Sequence, residues 1–207
     1  MAAFPRTVPP ASVTYPKVIG SLISVGQSGA LQTRSEAAQG RTWQETWSAL
    51  PAGNEDVQEL LTTIENLYNT GATCTLTHYL LPGSGKARNG TGGGSPRVNG
   101  GSQSGTSLVT ENWTTEAANR MKAGDCFTIA GLTVLFRVTA DATSSTSTNA
   151  QTLTITPPIV SGSSPADEAA LTIASANLTA VIVDYSGASA GPAEYIGGLT
   201  VTFREAP

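Results

Sequence analysis

The sequence predicts a mainly β protein, an antiparallel β-sandwich or barrel with one packed α-helix and a long Gly-rich loop. Three observations predict this fold class. Charged residues make up only 13% of the 207 residues, about half the share that is usual in a soluble domain. Their place is taken by Gly, Ser, Thr, Ala and Asn, which favour strands and turns over exposed helices. Short alternating segments recur between turns rich in Gly, Ser and Pro, as they do in sandwiches and barrels. One segment has the clear apolar period of an amphipathic helix.

The N-terminal stretch, residues 1–17, is rich in proline. It contains four prolines, which cannot lie inside a helix or a central strand: Pro5, Pro9, Pro10 and Pro16. We therefore expect an extended arm. Strands are predicted next at Val18–Val25 and at Arg41–Leu50, where Trp43 and Trp47 share one face. These strands open a β-sandwich part that we assign to residues 18–81.

The helix is predicted at Glu55–Thr70. Asn54 is a suitable N-cap, two acidic residues begin the first turn, and Gly71 is a suitable terminator. Its apolar stripe consists of Val57, Leu60, Leu61, Ile64, Leu67 and Tyr68. A strand is predicted directly after it, at Ala72–Leu81.

Residues 82–105 contain nine glycines and almost no apolar side chain. A loop of this length is functional or disordered, so we expect a boundary here and a β-rich second half at residues 106–207. A short helix is predicted at Thr114–Lys122, and a turn at the hydroxyl-rich run Thr143–Thr148. Strands are predicted at 132–139, at Thr152–Ile155 before the Pro157-Pro158 stop, and at 170–173, 178–185 and 199–203.

The residues that could support catalysis are few. The single histidine, His78, lies four residues from Cys74, and these positions on a strand are about 13 Å apart, too far to share a proton or a metal ion. No CxxC or HxxxH spacing predicts a zinc site. Gly83-Ser84-Gly85-Lys86 lacks the first glycine and the final hydroxyl of a phosphate loop. We expect no enzymatic activity, no cofactor and no metal.

Three further features bear on the environment of the protein. The net charge of −4 gives no basic surface for nucleic acid, and no apolar run is long enough to span a membrane. The first residues lack the apolar core of a signal peptide, which favours a product of the cytoplasm. Cys74 and Cys126 are then expected to be free and buried, with a disulfide as the lesser alternative.

Aromatic and basic residues suggest interaction surfaces. Trp43, Trp47 and Trp113 favour core or interface positions, with stacking on a sugar or base as the alternative. We assign a subunit interface to Lys86, Arg88, Arg97 and Trp113.

Two stretches resemble known virion proteins. Gly40-Arg41-Thr42-Trp43, Trp47, the helix and the strand after it resemble the N-terminal module of siphophage distal tail (baseplate hub) proteins. Gly124-Asp125-Cys126-Phe127-Thr128-Ile129-Ala130-Gly131, with the later Thr152-Leu153-Thr154-Ile155-Thr156-Pro157-Pro158, is similar to a β-barrel segment of tailed-phage structural proteins. Together the two stretches cover about half of the chain.

The resemblance implies a structural subunit of a hexameric ring at the tail tip, assembled in the host cytoplasm. Such a ring joins the tail tube to the hub and fibres, and DNA passes through its channel only as cargo. The arm and residues 82–105 would become ordered only against a neighbouring subunit. Deletion of residues 82–105 is therefore expected to spare the fold and impair assembly. Two alternatives remain: another virion component (a neck adaptor, head decoration or minor coat protein) and a carbohydrate-binding β-sandwich.

Overall fold

The computed structural model describes residues 2–18, 22–25, 31–34, 41–86, 88–114, 120–142, 150–187, 189–190 and 195–206. The protein is mainly antiparallel β, with 46% strand and 12% helix, which confirms the β-rich part of the predicted fold class. The chain forms two compact units, Met1–Leu76 with Thr179–Pro207, and Thr77–Leu178. The second unit is therefore a continuous insertion into the first. The sequence-based division, with its boundary at 82–105, does not coincide with this one.

In chain order the described elements are β1 (Ala2–Ala3), β2 (Ser12–Val13), β3 (Lys17–Val18), β4 (Leu22–Val25), β5 (Leu31–Arg34), β6 (Arg41–Pro51), α1 (Glu55–Thr70), β7 (Cys74–Leu76), β8 (Leu81–Pro82), β9 (Gly85–Lys86), β10 (Gly94–Val98), β11 (Gly105–Trp113), β12 (Cys126–Ile129), β13 (Leu135–Val138), β14 (Gln151–Ile159), a 3-10 turn (Ser161–Ser163), β15 (Leu171–Thr172), β16 (Leu178–Ser186), β17 (Ser189–Ala190) and β18 (Tyr195–Glu205).

The first unit is built on one sheet with the order β1-β7-β16-β18-β6-β2. Strand β3 also pairs with β6, and β17 pairs with β18. The antiparallel ladder between β6 and β18 runs from Thr42 opposite Arg204 to Pro51 opposite Tyr195. Trp43 and Trp47 are buried on one face of β6, as their spacing predicts. Strands β4 and β5 form a separate hairpin.

Helix α1 has the predicted bounds. The Asn54 carboxamide oxygen accepts hydrogen bonds from the backbone N–H groups of Asp56 and Val57, at 2.8 and 3.4 Å. Gly71 ends the helix with φ +63°, a left-handed conformation that costs glycine little. Of the predicted stripe, four residues are buried, namely Val57, Leu60, Ile64 and Leu67. Tyr68 is instead 42% exposed and packs edge-on against Tyr185.

The second unit is a nearly closed barrel. Its six-stranded sheet has the order β10-β11-β14-β13-β12-β15, and an isolated bridge between Arg97 and Ala170 links the two ends of this order. Side chains from all six strands of this sheet contribute to the interior; its larger side chains include Val98, Leu108, Trp113, Met121, Phe127, Ile129, Phe136, Leu153 and Ile155.

Residues 82–105 do not form one long loop. They contain β9, β10 and part of β8, and the Val98 side chain is fully buried in the barrel core. Gly94 has φ +80°, and a Cβ there would lie 2.6 Å from the Asn112 carbonyl oxygen. Glycine therefore permits close strand approach rather than disorder. Deleting 82–105 would remove a barrel strand, so the expectation that this deletion spares the fold is wrong.

Two predicted strands have different bounds in the structure. The segment Ala72–Leu81 contains only the three residues of β7 before a turn at Tyr79 and Leu80. Strand β14 continues past Pro157-Pro158 to Ile159. It can do so because its register with β11 is irregular between Thr154 and Ile159, and an irregular stretch tolerates residues that lack an N–H donor.

Other predictions fall partly or wholly outside the described residues. The predicted strand at Val18–Val25 coincides with the end of β3 and with β4, but residues 19–21 lie outside. So do residues 115–119 of the predicted second helix and the hydroxyl-rich run within 143–149. The remaining predicted strands correspond to β13, β15, β16 and β18.

Candidate functional site: the N-terminal arm and its recess

The N-terminal arm, residues 2–18, is extended, as predicted, but it packs on its own chain. Strand β1 pairs in parallel with β7, while β2 and β3 pair with β6. The arm thus supplies the strands that flank both ends of the sheet path. The expectation that the arm becomes ordered only on a neighbour is wrong for the isolated chain, because the sheet of the same chain offers it hydrogen bonds and apolar contacts.

Between β1 and β2 the arm lies on the face of the sheet that carries the tryptophans. Phe4, only 4% exposed, packs edge-on against Phe203 at a ring-centroid distance of 5.2 Å. The Trp47 indole N–H donates to the Val8 carbonyl oxygen at 3.1 Å. We call the surface that receives the arm, formed by Glu45, Trp47, Thr75 and Phe203, the arm recess.

A buried ion pair lies in the arm recess. The Arg6 guanidinium makes two hydrogen bonds to the Glu45 carboxylate, one of them from Nη2 to Oε1 at 2.9 Å. Glu45 is fully buried, and its Oε1 also accepts from the Trp43 indole N–H at 3.3 Å. The guanidinium lies 5.2 Å from the Phe4 ring centroid. A carboxylate this deeply buried is tolerable only with a cation and hydrogen bonds around it.

The sequence contained a signal for this ion pair that the prediction did not use. In Trp43-Gln44-Glu45-Thr46-Trp47, the strand period of two places Glu45 on the same face as both tryptophans. A carboxylate between two buried indoles requires a partner from elsewhere in the chain. Periodicity cannot identify that partner, because Arg6 is 39 residues away.

The opposite face of the β6–β18 ladder carries mostly neutral polar side chains. Thr46 and Thr200 share a hydroxyl–hydroxyl hydrogen bond of 3.3 Å, and the Gln44 amide donates to the Thr202 hydroxyl at 3.2 Å. We call this surface the outer face; its uncharged members on the two strands are Thr42, Gln44, Thr46, Ser48, Thr200 and Thr202, and the exposed Arg204 lies opposite Thr42 at one end of it. A shallow groove of about 210 Å³ lies beside it, next to the half-exposed Tyr15.

The four residues that were predicted at a subunit interface lie in different environments. Lys86 lies in β9, and Arg88 donates to the Ile173 carbonyl oxygen at 3.1 Å. Arg97 is exposed and forms an ion pair of 2.8 Å with Glu168. Trp113 is 3% exposed and donates to the Thr110 hydroxyl at 2.8 Å. Its side chain belongs to the barrel core and offers little surface to another subunit.

A small carboxylate cluster surrounds Arg97. A hydrogen bond with Glu168 raises the pKa of Glu111, and burial and the nearby charges of Glu168 and Asp167 act in the same direction. The hydrogen bond from Arg97 lowers the pKa of Glu168. The pair therefore shares a proton more readily than two separate carboxyl groups would.

Asp125 is a buried anchor that sequence reasoning did not identify. Its carboxylate is fully buried and accepts three backbone N–H hydrogen bonds, from Asn89 at 2.7 Å, Gly90 at 2.8 Å and Lys122 at 2.9 Å. Nearby, the buried Arg120 donates to the Gly92 carbonyl oxygen at 2.7 Å. These contacts hold the glycine-rich backbone before β10 in a fixed path.

The residues considered for catalysis make structural contacts. His78 is buried, and its Nδ1 accepts from the Leu80 backbone N–H at 3.2 Å. Cys74 and Cys126 are both free and buried, as expected. Burial raises the pKa of the Cys74 thiol to about 11, and its Sγ donates to the Ala180 carbonyl oxygen. Among the described residues, no group of three potential ligands could hold a metal ion.

Comparisons with known proteins give no family for this chain. No model of a known protein family matches it, and no curated protein sequence matches it. In the part of the chain that the structure describes, no helix has the length and apolar character needed to cross a membrane.

Proposed function

We propose that the protein is a structural subunit of a tailed-phage virion, with the distal tail ring as its preferred position. In this proposal six copies form a ring that joins the tail tube to the hub and fibres. DNA passes through the ring as cargo and is not bound as a ligand. The protein assembles in the host cytoplasm and resides in the virion tail.

The observation that carries the proposal is the outer face of the β6–β18 ladder. Two cross-strand pairs there, Thr46–Thr200 and Gln44–Thr202, and the flanking Thr42 and Ser48 bear hydroxyl or amide groups without charge. Charged side chains lie at the border of this group, where Arg204 is opposite Thr42 and Asp184 of β16 is opposite Thr202. Packing this uncharged group against another subunit removes no ion from water, and removing ions from water is the largest cost of burying a polar surface. A ring subunit needs surfaces of this kind, because it must contact two neighbours at once.

The charge distribution also supports a channel through which DNA passes. The sequence of the first unit contains nine acidic and five basic residues, so the whole net charge of −4 belongs to this unit. Helix α1 contributes four acidic residues and no basic one. A surface of this sign repels the phosphate backbone and favours passage over binding.

Two alternative functions can be compared with the ring subunit. Another virion component would share the same surfaces and would differ in the number of copies. A carbohydrate-binding module would use exposed aromatic rings, but Trp43, Trp47 and Trp113 are 2%, 1% and 3% exposed. The tryptophans therefore argue against a sugar-stacking platform.

Class-averaged electron images of the purified protein test the proposal. We expect six-fold rings with a central opening. Gln44→Lys, which adds a charge to the outer face, should abolish the rings. Thr152→Lys serves as the matched control, because Thr152 is an exposed strand residue of the second unit. Single particles of monomer size would contradict the proposal, and rings unaffected by Gln44→Lys would contradict the assignment of the outer face.

A further inference from the structure

We propose that the N-terminal arm is exchanged between subunits: in the assembled ring, residues 2–18 of one copy occupy the arm recess of the next copy. This inference rests on the proposed self-assembly, and it names the segment and the surface that link neighbouring copies. The partner is a second copy of this chain.

The arm is attached to the recess by a few separate anchors. The Phe4 backbone N–H donates to the Thr75 carbonyl oxygen at 2.9 Å, and the next backbone bond to the sheet along the arm is from Ala11 to Thr46, at 2.7 Å. Between them the arm is held by the Arg6–Glu45 ion pair and by the Val8 carbonyl oxygen. Each anchor can be made by any copy whose arm reaches the recess.

The chemistry of the recess selects this occupant. The fully buried Glu45 carboxylate requires a cation, and the Phe203 ring, which is fully buried with the arm in place, requires an apolar neighbour against it. Phe4 and Arg6 supply these groups with the spacing of an extended chain. An empty recess would expose the Phe203 ring and leave the Glu45 carboxylate without its cation, and both changes are unfavourable. The recess is therefore filled by an arm, from either the same chain or a neighbour.

Two features keep the free-energy cost of exchanging the arm small. Prolines at positions 5, 9, 10 and 16 keep the arm extended when it leaves the sheet, so little conformational freedom separates the free arm from the bound one. The connection from the arm to β6 is 22 residues long. Its nine residues outside the β4–β5 hairpin alone could span about 30 Å. The contacts of an exchanged arm equal those of the closed arm, and in a ring the neighbouring recess is present at high effective concentration.

Engineered disulfides test the exchange in the full-length protein. Ser12 on β2 lies opposite Thr46 on β6, and directly paired residues of antiparallel strands have Cα separations compatible with a disulfide. Ser12→Cys/Thr46→Cys should therefore cross-link in oxidising buffer. Thr128→Cys/Thr172→Cys is the matched control, because these residues are paired within the barrel of one chain. The native cysteines are buried and serve as an internal background in the parent protein.

After alkylation, non-reducing denaturing electrophoresis separates the two arrangements. Exchange predicts that the Ser12→Cys/Thr46→Cys oligomer runs as disulfide-linked multiples of the chain mass, while the control variant runs at one chain mass. Mixing the two single-cysteine variants before assembly should also give linked pairs, which only contacts between chains can produce.

The possible failures are distinguishable. One failure is an oligomer in native mass spectrometry together with a Ser12→Cys/Thr46→Cys variant that runs at one chain mass, whether its two new thiols form a disulfide within the chain or stay reduced. In that case the exchange is wrong and the proposed function stands. If the parent protein is monomeric at every concentration, the proposed function and the exchange are both wrong.

Discussion

The Glu45 carboxylate shows how a single residue sets the conformation of a segment far from it in sequence. It is fully buried between two tryptophans, and Arg6 neutralises it from the N-terminal arm. The ion pair stabilises less than its short contacts suggest, because both groups lose hydration when they are buried. Removing one partner alone is different, since the other charge remains in an apolar recess.

We therefore predict that Arg6→Ala destabilises the first unit by about 3 kcal/mol. The double variant Arg6→Ala/Glu45→Gln should recover most of this loss, because its buried side chain is neutral. Urea denaturation followed by tryptophan fluorescence measures both values. Equal stability of the single and double variants would show that the buried charge is not the cause.

A second residue-scale prediction concerns the pH dependence of the Glu111–Glu168 pair. The pKa of Glu111 in the folded protein lies above its ordinary value of 4.5, mainly because of the hydrogen bond with Glu168. A raised pKa means that the protonated carboxyl stabilises the fold at low pH, and that this contribution is lost as the pH rises through the folded pKa. Glu111→Gln, which resembles the protonated form, should raise the Tm at pH 8 relative to the parent protein.

The same difference should vanish near pH 3, where Glu111 of the parent protein is itself protonated. Glu59→Gln, which also removes one carboxylate but from the exposed side of α1, provides the control for net charge. A lower Tm for Glu111→Gln at pH 8 would contradict the direction of the pKa shift.

At the scale of elements, helix α1 was predictable because its signals are local. The cap, the apolar stripe and the terminating glycine all lie between Asn54 and Gly71, and the structure reproduces each of them. Strand β14 was not predictable in full, since its passage through Pro157-Pro158 depends on an irregular register with a partner about 50 residues away. Likewise, β10 is a barrel strand because it pairs with β11, although its own composition is typical of a loop.

The helix cap gives an element-scale prediction. Asn54→Ala should destabilise the first unit by about 1 kcal/mol, because two N–H groups of the first turn lose their acceptor. Asn54→Asp and Asn54→Ser should retain nearly all of the stability, since both side chains can accept the same hydrogen bonds. Thermal unfolding followed by circular dichroism measures the three variants. A loss in Asn54→Asp as large as that in Asn54→Ala would contradict the cap assignment.

The glycine-rich segment before β10 gives a second element-scale prediction. Asp125→Ala removes the acceptor of three backbone N–H groups and should destabilise the barrel by about 3 kcal/mol. It should also speed hydrogen exchange at the amides of Asn89 and Gly90. Asp141→Ala, which removes one exposed hydrogen bond to Ala123, should have a much smaller effect. Unchanged exchange at both amides in Asp125→Ala would mean that other contacts hold the segment.

At the scale of the whole molecule, the sequence predicted the mainly β fold class and the free cysteines, but not the insertion of one unit into the other. Composition and the spacing of apolar residues predict individual helices and strands. The insertion instead arises from pairing between strands that are far apart in the chain, such as β6 with β18. The candidate site was missed for the same reason: Arg6 and Glu45 meet only after the arm crosses the sheet.

We propose that copies of this chain assemble into a ring through the outer face of the β6–β18 ladder. Native mass spectrometry of the purified full-length protein tests this claim most directly. A hexameric ring should give a dominant species of about 127 kDa, six times the chain mass of 21.1 kDa. A single species at 21.1 kDa across the accessible concentration range would contradict it.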